Sequence, residues 1–225
     1  MLGNVLKDAK YLKRIKDATD PHADPDHPRH HGIGMQAHHV ISAEGVKKSG
    51  LGNDLVRFGY DINVLDNLVY IPSTLQGACH LGVQPHRGDH RAPVEGDGFD
   101  DDRKRPDSYH DMVKLRVAEL ERLLTDKCPA EDPDRRRTIR RKMDEISKKI
   151  ANLIQIVPSK APLTRIAKHF EPKSKIGCGG VDSIPNHSGQ PCPVERHHRS
   201  QQGPGQKSEQ IIYRKDKPYQ LKVGR

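Results

Sequence analysis

The sequence predicts an α+β chain, and three observations carry that prediction. Asn67 to Ile71, NLVYI, is a short β-branched and aromatic run stopped by Pro72, which reads as a strand. Residues 107–126 and 134–157 repeat apolar side chains every three or four positions, which reads as two amphipathic helices. From Pro158 the texture turns to Pro, Lys, Ser and Gly without an apolar period, which reads as a basic, partly disordered extension.

Taken in order, Met1 to Lys16 has helical spacing at Leu2, Val5, Leu6 and Leu12 and is expected to form an N-terminal helix. Pro21 to Gly34, PHADPDHPRHHGIG, is a loop. Its His22, His27, His30 and His31 are expected to be solvated, a weak metal site being the other role they suggest. Met35 to Ile41 reads as a short strand. Glu44 to Phe58 places Val46, Leu51, Leu55 and Phe58 near helical spacing, interrupted by Gly50 and Gly52. Gly77 to Asp107 is rich in Gly, His, Pro and Asp and reads mostly as loop.

Asp107-Ser108 caps the next helix, whose stripe is Tyr109, Met112, Val113, Val117, Leu120 and Leu124. The following helix turns Ile139, Met143, Ile146, Ile150 and Ile154 inward. Arg135, Arg136, Arg137, Arg140, Arg141 and Lys142 crowd its first half, against the helix dipole. That face either meets phosphate or is simply solvated. In the extension, two alternating runs within Glu209 to Val223 flank Lys215-Asp216-Lys217 and suggest a hairpin forming an accessory module. The resulting units are 1–34, 35–126, 127–157 and 158–225.

Composition narrows the function. With 33% hydrophobic residues, 4% aromatic and no Trp among 225, a packed core throughout is not expected. A formal charge of +9 suits a polyanion such as nucleic acid. No apolar run approaches the roughly 20 residues of a spanning helix, so membrane insertion is not expected. Met1 to Asp17 lacks the apolar centre and small-residue cleavage site of a signal peptide. The four cysteines form no CxxC pair, so a disulfide framework is not expected and synthesis in a reducing cytoplasm is. Cys178, His187, Cys192 and His197 offer a Cys2His2 zinc set, but their spacings match no usual zinc pattern.

Among 14 histidines, His38-His39 stand out because Met35, Val40 and Ile41 flank them. His86 and His90 bracket Arg-Gly-Asp, and on a helical turn that spacing puts both rings on one face, able to grip one cation. Phosphodiester cleavage needs such a cation, a base that titrates near neutrality and a group that fixes the base's tautomer. Histidines and an asparagine supply all three.

The segments QAHHVIS, GYDINVLDNLVYIPS, HRGDH and SYHDMVKLRVAELERLL, in that order over residues 35–125, resemble the AHH nuclease family of the HNH/endonuclease VII superfamily. Those nucleases are often toxin domains of bacterial secretion-system effectors. The resemblance implies a ββα-metal fold, with surrounding helices here, and makes 35–126 the nuclease unit. Carried over by position, it implies that His38, His86 and His90 bind metal, that His39 is the general base and that Asn67 orients it. Neighbouring strand residues point to opposite faces, so His38 and His39 share a site only if the strand ends or bends there. The charged insertion from Arg91 to Pro106 leaves open whether His80 replaces one ligand.

The expected activity is hydrolysis of double-stranded DNA with little sequence preference, and the resemblance implies products with 5′-phosphate and 3′-hydroxyl ends. Mg²⁺ is the expected ion, although three imidazoles bind Zn²⁺ or Ni²⁺ more tightly. Lys47, Lys48, Arg87, Arg91, Arg136 and Arg140 are the expected DNA contacts. The resemblance implies a cognate immunity protein, which the positive DNA-facing charge predicts to be acidic, and a secretion-system carrier or chaperone delivering the protein to a target cell. Two rivals stay open: a metal-independent RNase using the same histidines, and a non-enzymatic nucleic-acid-binding or effector-adaptor protein.

Overall fold

A computed structural model describes residues 2–86, 107–125, 132–163, 167, 211–213 and 219–225. The fold is α+β, a two-stranded antiparallel sheet among helices. Strand β1 (Met35–His39) pairs with β2 (Leu68–Pro72) in the register His38 with Val69 and His39 with Leu68. Side chains alternate across a strand, so Met35, Ala37 and His39 share one face with Leu68 and Tyr70, while His38 faces the other way with Val69 and Ile71. Helix α1 (Lys10–Ala18) covers the first face with Ile15 and Tyr11. The main core covers the second.

Between the strands run two short helices, α2 (Ala43–Ser49) and α3 (Gly52–Arg57). The single helix expected over 44–58 breaks at Gly50, which takes a left-handed φ of 76° and closes α2. Ser42 caps α2 by accepting from Gly45 N at 3.1 Å. Gly45 itself admits α5 (Asp107–Ala118), since a Cβ there would sit 2.4 Å from Val113 Cγ1.

The expected stripes are found, although the single helix read over 107–126 breaks in a turn after Ala118 and Met112 is only half-buried. Tyr109, Val113, Val117, Leu120 and Leu124 are buried along α5 and the short α6 (Glu121–Thr125). Ile139, Met143, Ile146, Ile150 and Ile154 form the inner face of α7 (Pro133–Ile156). Each such side chain stabilises by roughly 1.5–3 kcal/mol on burial. Asp132 caps α7, accepting from Asp134 N at 2.9 Å, which offsets the arginines beside that terminus.

Three expectations are corrected. Helix α4 (Leu75–Leu81) lies inside the stretch read as loop, capped by Thr74 Oγ1 accepting from Gly77 N. The N-terminal helix begins only at Lys10, leaving Leu2 and Leu6 exposed. The end of the chain is no accessory module: Ile211, Tyr219 and Leu221 belong to the main core. Gln155 clamps this segment, donating to Tyr219 O at 2.8 Å and accepting from Leu221 N at 2.8 Å. Gly224 N and Arg225 O then bond Leu68 O and Tyr70 N along the outer edge of β2, and Arg225 pairs with Asp24 at 3.0 Å. The turn of the expected hairpin, 214–218, lies outside the described residues. Among the described residues, no helix is long and apolar enough to cross a membrane.

Candidate active site

His38 stands on the core face of β1, buried between α5 and the segment that follows α4. Tyr109 Oη donates its one proton to Val40 O at 2.6 Å, so at 2.8 Å it accepts from His38 Nε2. A neutral His38 therefore carries its lone pair on Nδ1. That nitrogen lies 3.1 Å from His86 Nε2. Two nitrogens bound at about 2.0–2.1 Å to one octahedral or tetrahedral ion lie about 2.8–3.4 Å apart. The pair thus fits a shared cation.

His86 is not on a helix, since α4 ends at Leu81. Its backbone N donates to Pro72 O at 2.8 Å, tying it to the end of β2. Two residues earlier, buried Gln84 donates to Ile154 O and Ala161 O and accepts from Leu163 N, fastening this segment to the end of α7. Burial, then the nearby Lys7 charge, push the His86 pKa down to about 3, so the ring is neutral as a ligand must be. His90, Arg87 and Arg91 lie outside the described residues, as do Cys178, His187, Cys192 and His197. Among the described residues no group of three donors for a metal assembles. His80 points elsewhere, its Nε2 donating to Tyr213 O at 2.7 Å.

His39 closes β1 on the opposite face. Its Nε2 lies 3.0 Å from Asn63 Oδ1. The Asn63 amide is oriented by its other bonds, with Nδ2 donating to Leu6 O and Asp61 Oδ1, both at 2.9 Å. Oδ1 is an acceptor, so His39 Nε2 carries the proton and Nδ1 the lone pair. Nδ1 is buried and without a hydrogen-bond partner. The Tyr11 ring packs against the imidazole at 4.4 Å. Burial pulls the His39 pKa down to about 4, against the opposing effect of the hydrogen bond His39 donates to Asn63 Oδ1.

The contact expected of Asn67 belongs instead to Asn63. Asn67 is buried in the turn Leu65–Asn67, where it accepts from Ile41 N at 2.7 Å and donates to Ile41 O and Ile62 O. Ser147 of α7 also donates to it at 3.2 Å. Asn67 locks the chain just beyond the two histidines, whereas Asn63 touches the ring. Sequence reasoning also missed Tyr109 as a partner of His38 and Gln84 as an anchor for His86. Asn63 lies in the DIN of the quoted motif, which was the available signal.

The loop histidines are corrected as well. His27 is fully buried, its Nδ1 accepting from Arg29 N to cap the turn Pro28–His30. His30 donates to Thr19 O at 2.7 Å, while His22 is exposed as expected.

Of the expected DNA contacts, Lys47 is exposed on α2 and Lys48 pairs with Asp111 at 3.0 Å. Arg136 and Arg140 line a cleft of about 420 Å³ with Pro133, Arg137, Arg141 and Asp144.

The model of the AHH family, a nuclease family of the HNH/ENDO VII superfamily with conserved AHH, matches residues 12–154. Neither a curated protein nor a solved structure matches the chain.

Proposed function

Because the chain belongs to the AHH nuclease family of the HNH/ENDO VII superfamily, we propose that it is a metal-dependent endonuclease hydrolysing DNA with little sequence preference. The observation that carries this reading is the fixed tautomer of His39, whose Nε2 is committed to Asn63 and whose Nδ1 holds a lone pair. That nitrogen takes the proton from the attacking water. At a pKa of about 4 the imidazole is unprotonated at neutrality but weakly basic. Displacement of Tyr11 as substrate enters relieves the burial and raises the pKa toward that of a solvated imidazole.

Nucleases of this superfamily generally use a divalent metal. In our reading His38 through Nδ1, His86 through Nε2 and His90 hold it. When bound, the ion stabilises charge on the phosphate and the leaving oxygen. Tyr109 and the Val40 carbonyl keep the His38 ring turned with Nδ1 toward that position. Mg²⁺ is the proposed working ion.

DNA is the proposed substrate on the strength of the +9 charge and the arginine-lined cleft at Arg136 and Arg140. We read the protein as an antibacterial effector toxin, made in a bacterial cytoplasm and delivered by a carrier. The same positive surface suits an acidic immunity protein, steered in by the field and released by salt.

The test is incubation of supercoiled plasmid, linear duplex and structured RNA with the protein in EDTA and in a series of divalent ions. Plasmid nicking that needs a metal and spares RNA supports the reading. RNA cleavage that persists in EDTA overturns it in favour of a metal-independent ribonuclease.

A further inference from the structure

The N-terminal segment ahead of α1 is fastened to the candidate site by the side chain that orients His39. Asn63 Nδ2 donates to Leu6 O at 2.9 Å, and its Oδ1 accepts from Asp8 N at 3.2 Å. Further along, Gly3 N donates to Val56 O, Asn4 N to Tyr60 O, and Ile62 N to Asn4 O at 2.7 Å. The residue between the two Asn63 contacts is Lys7, which is exposed. Its Nζ lies 6.0 Å from the Tyr11 ring centroid, and that ring lies 4.4 Å from the His39 ring.

None of the ion pairs among the described residues includes Lys7. Lys7 is thus an exposed cation between two anchored neighbours, next to the ring that packs on His39 and with no carboxylate partner among the described residues.

We propose that Lys7 grips a non-bridging oxygen of the scissile phosphate. The proposal rests on the nuclease reading above and adds a catalytic residue to it. The ammonium meets charge that grows as water attacks, so it stabilises the transition state more than the ground state.

Two measurements on the full chain test this. Binding of a fluorescent DNA duplex is followed against salt in EDTA, in a His39→Ala background with Lys7 intact or changed to Ala. Loss of one phosphate contact lowers the slope of log K against log salt by about 0.9. Turnover on plasmid DNA is followed in Lys7→Ala and Lys7→Arg with His39 intact. We expect kcat to fall on the order of 10²-fold in Lys7→Ala with little change in metal affinity, and Lys7→Arg to recover most of it.

An unchanged salt slope together with wild-type kcat in Lys7→Ala overturns the proposal. A loss in Lys7→Ala that tracks a fall in thermal stability also overturns it, since the role would then be structural. Full activity in His39→Ala would sink the base assignment, while the salt slope would still decide Lys7.

Discussion

Asn63 holds His39 by its Nε2 at 3.0 Å while its own amide is pinned by Leu6 O and Asp61. The orientation of the His39 ring and the placement of the N-terminal segment therefore depend on one side chain. Replacing Asn63 by Ala should lower kcat on the order of 10-fold or more, because the ring loses the acceptor that fixes its tautomer. Asn63→Asp should instead raise the His39 pKa above about 4, a carboxylate favouring the imidazolium. NMR titration of the His39 ring checks the direction; an unmoved titration in Asn63→Asp would count against the contact.

Tyr109→Phe removes a single oxygen that both donates to Val40 O and accepts from His38 Nε2. The buried carbonyl then lacks its donor, at about 1–3 kcal/mol. The His38 ring loses the partner that selects its tautomer, so metal affinity should fall about 10- to 100-fold. Calorimetry on folded variant protein reads this directly. Wild-type affinity in Tyr109→Phe would exclude the relay.

Acid should destabilise the protein through its buried histidines. Burial pushes the His27 pKa down to about 3, whereas in the unfolded chain it titrates near 6.5. Between those values the unfolded state binds the proton and the folded state does not. Stability is thus complete above about pH 6.5 and falls as pH drops toward 3. His39 acts in the same sense down to about pH 4. His27→Asn keeps an acceptor for Arg29 N and removes the titration, so proton uptake on unfolding should drop by about one. Urea unfolding between about pH 7 and 4.5 measures it, and an unchanged slope would refute the assignment.

The C-terminal segment should be needed for stability. Deleting residues 219–225 strips Tyr219 and Leu221 from the core, leaves Gln155 without its backbone partners and breaks the pair between Arg225 and Asp24. Burial of the two large side chains alone is worth about 3–6 kcal/mol. A truncated protein with an unchanged urea midpoint would show that the segment only rests on the fold.

What could be read in the sequence follows from which interactions are periodic. The stripes of α5 and α7 and the NLVYI run were legible because burial repeats along the chain at the helix or strand spacing. Helix α4 was not, since LQGACHL has no such stripe and its Gly and His read as loop; Thr74 three residues before Gly77 was the cue. The histidine doublet was legible through its ordered company of motifs. The division of labour between Asn63 and Asn67 was not, because both stand in turns and only the fold decides which amide meets the ring. The burial of His27 and the docking of residues 219–225 against β2 depend on contacts between distant segments, which leave no local pattern.

His39 is the proposed base and His38 with His86 the proposed ligands, although His38 and His39 are neighbours on one strand facing opposite sides. The most direct measurement pairs nicking of supercoiled plasmid with calorimetric metal binding in His39→Ala and His86→Ala. His39→Ala should lose cleavage by on the order of 10²-fold or more while binding metal as the unaltered protein does. His86→Ala should lose both together. Metal binding lost in His39→Ala to the same extent as in His86→Ala, or nicking retained in His39→Ala, would refute these assignments.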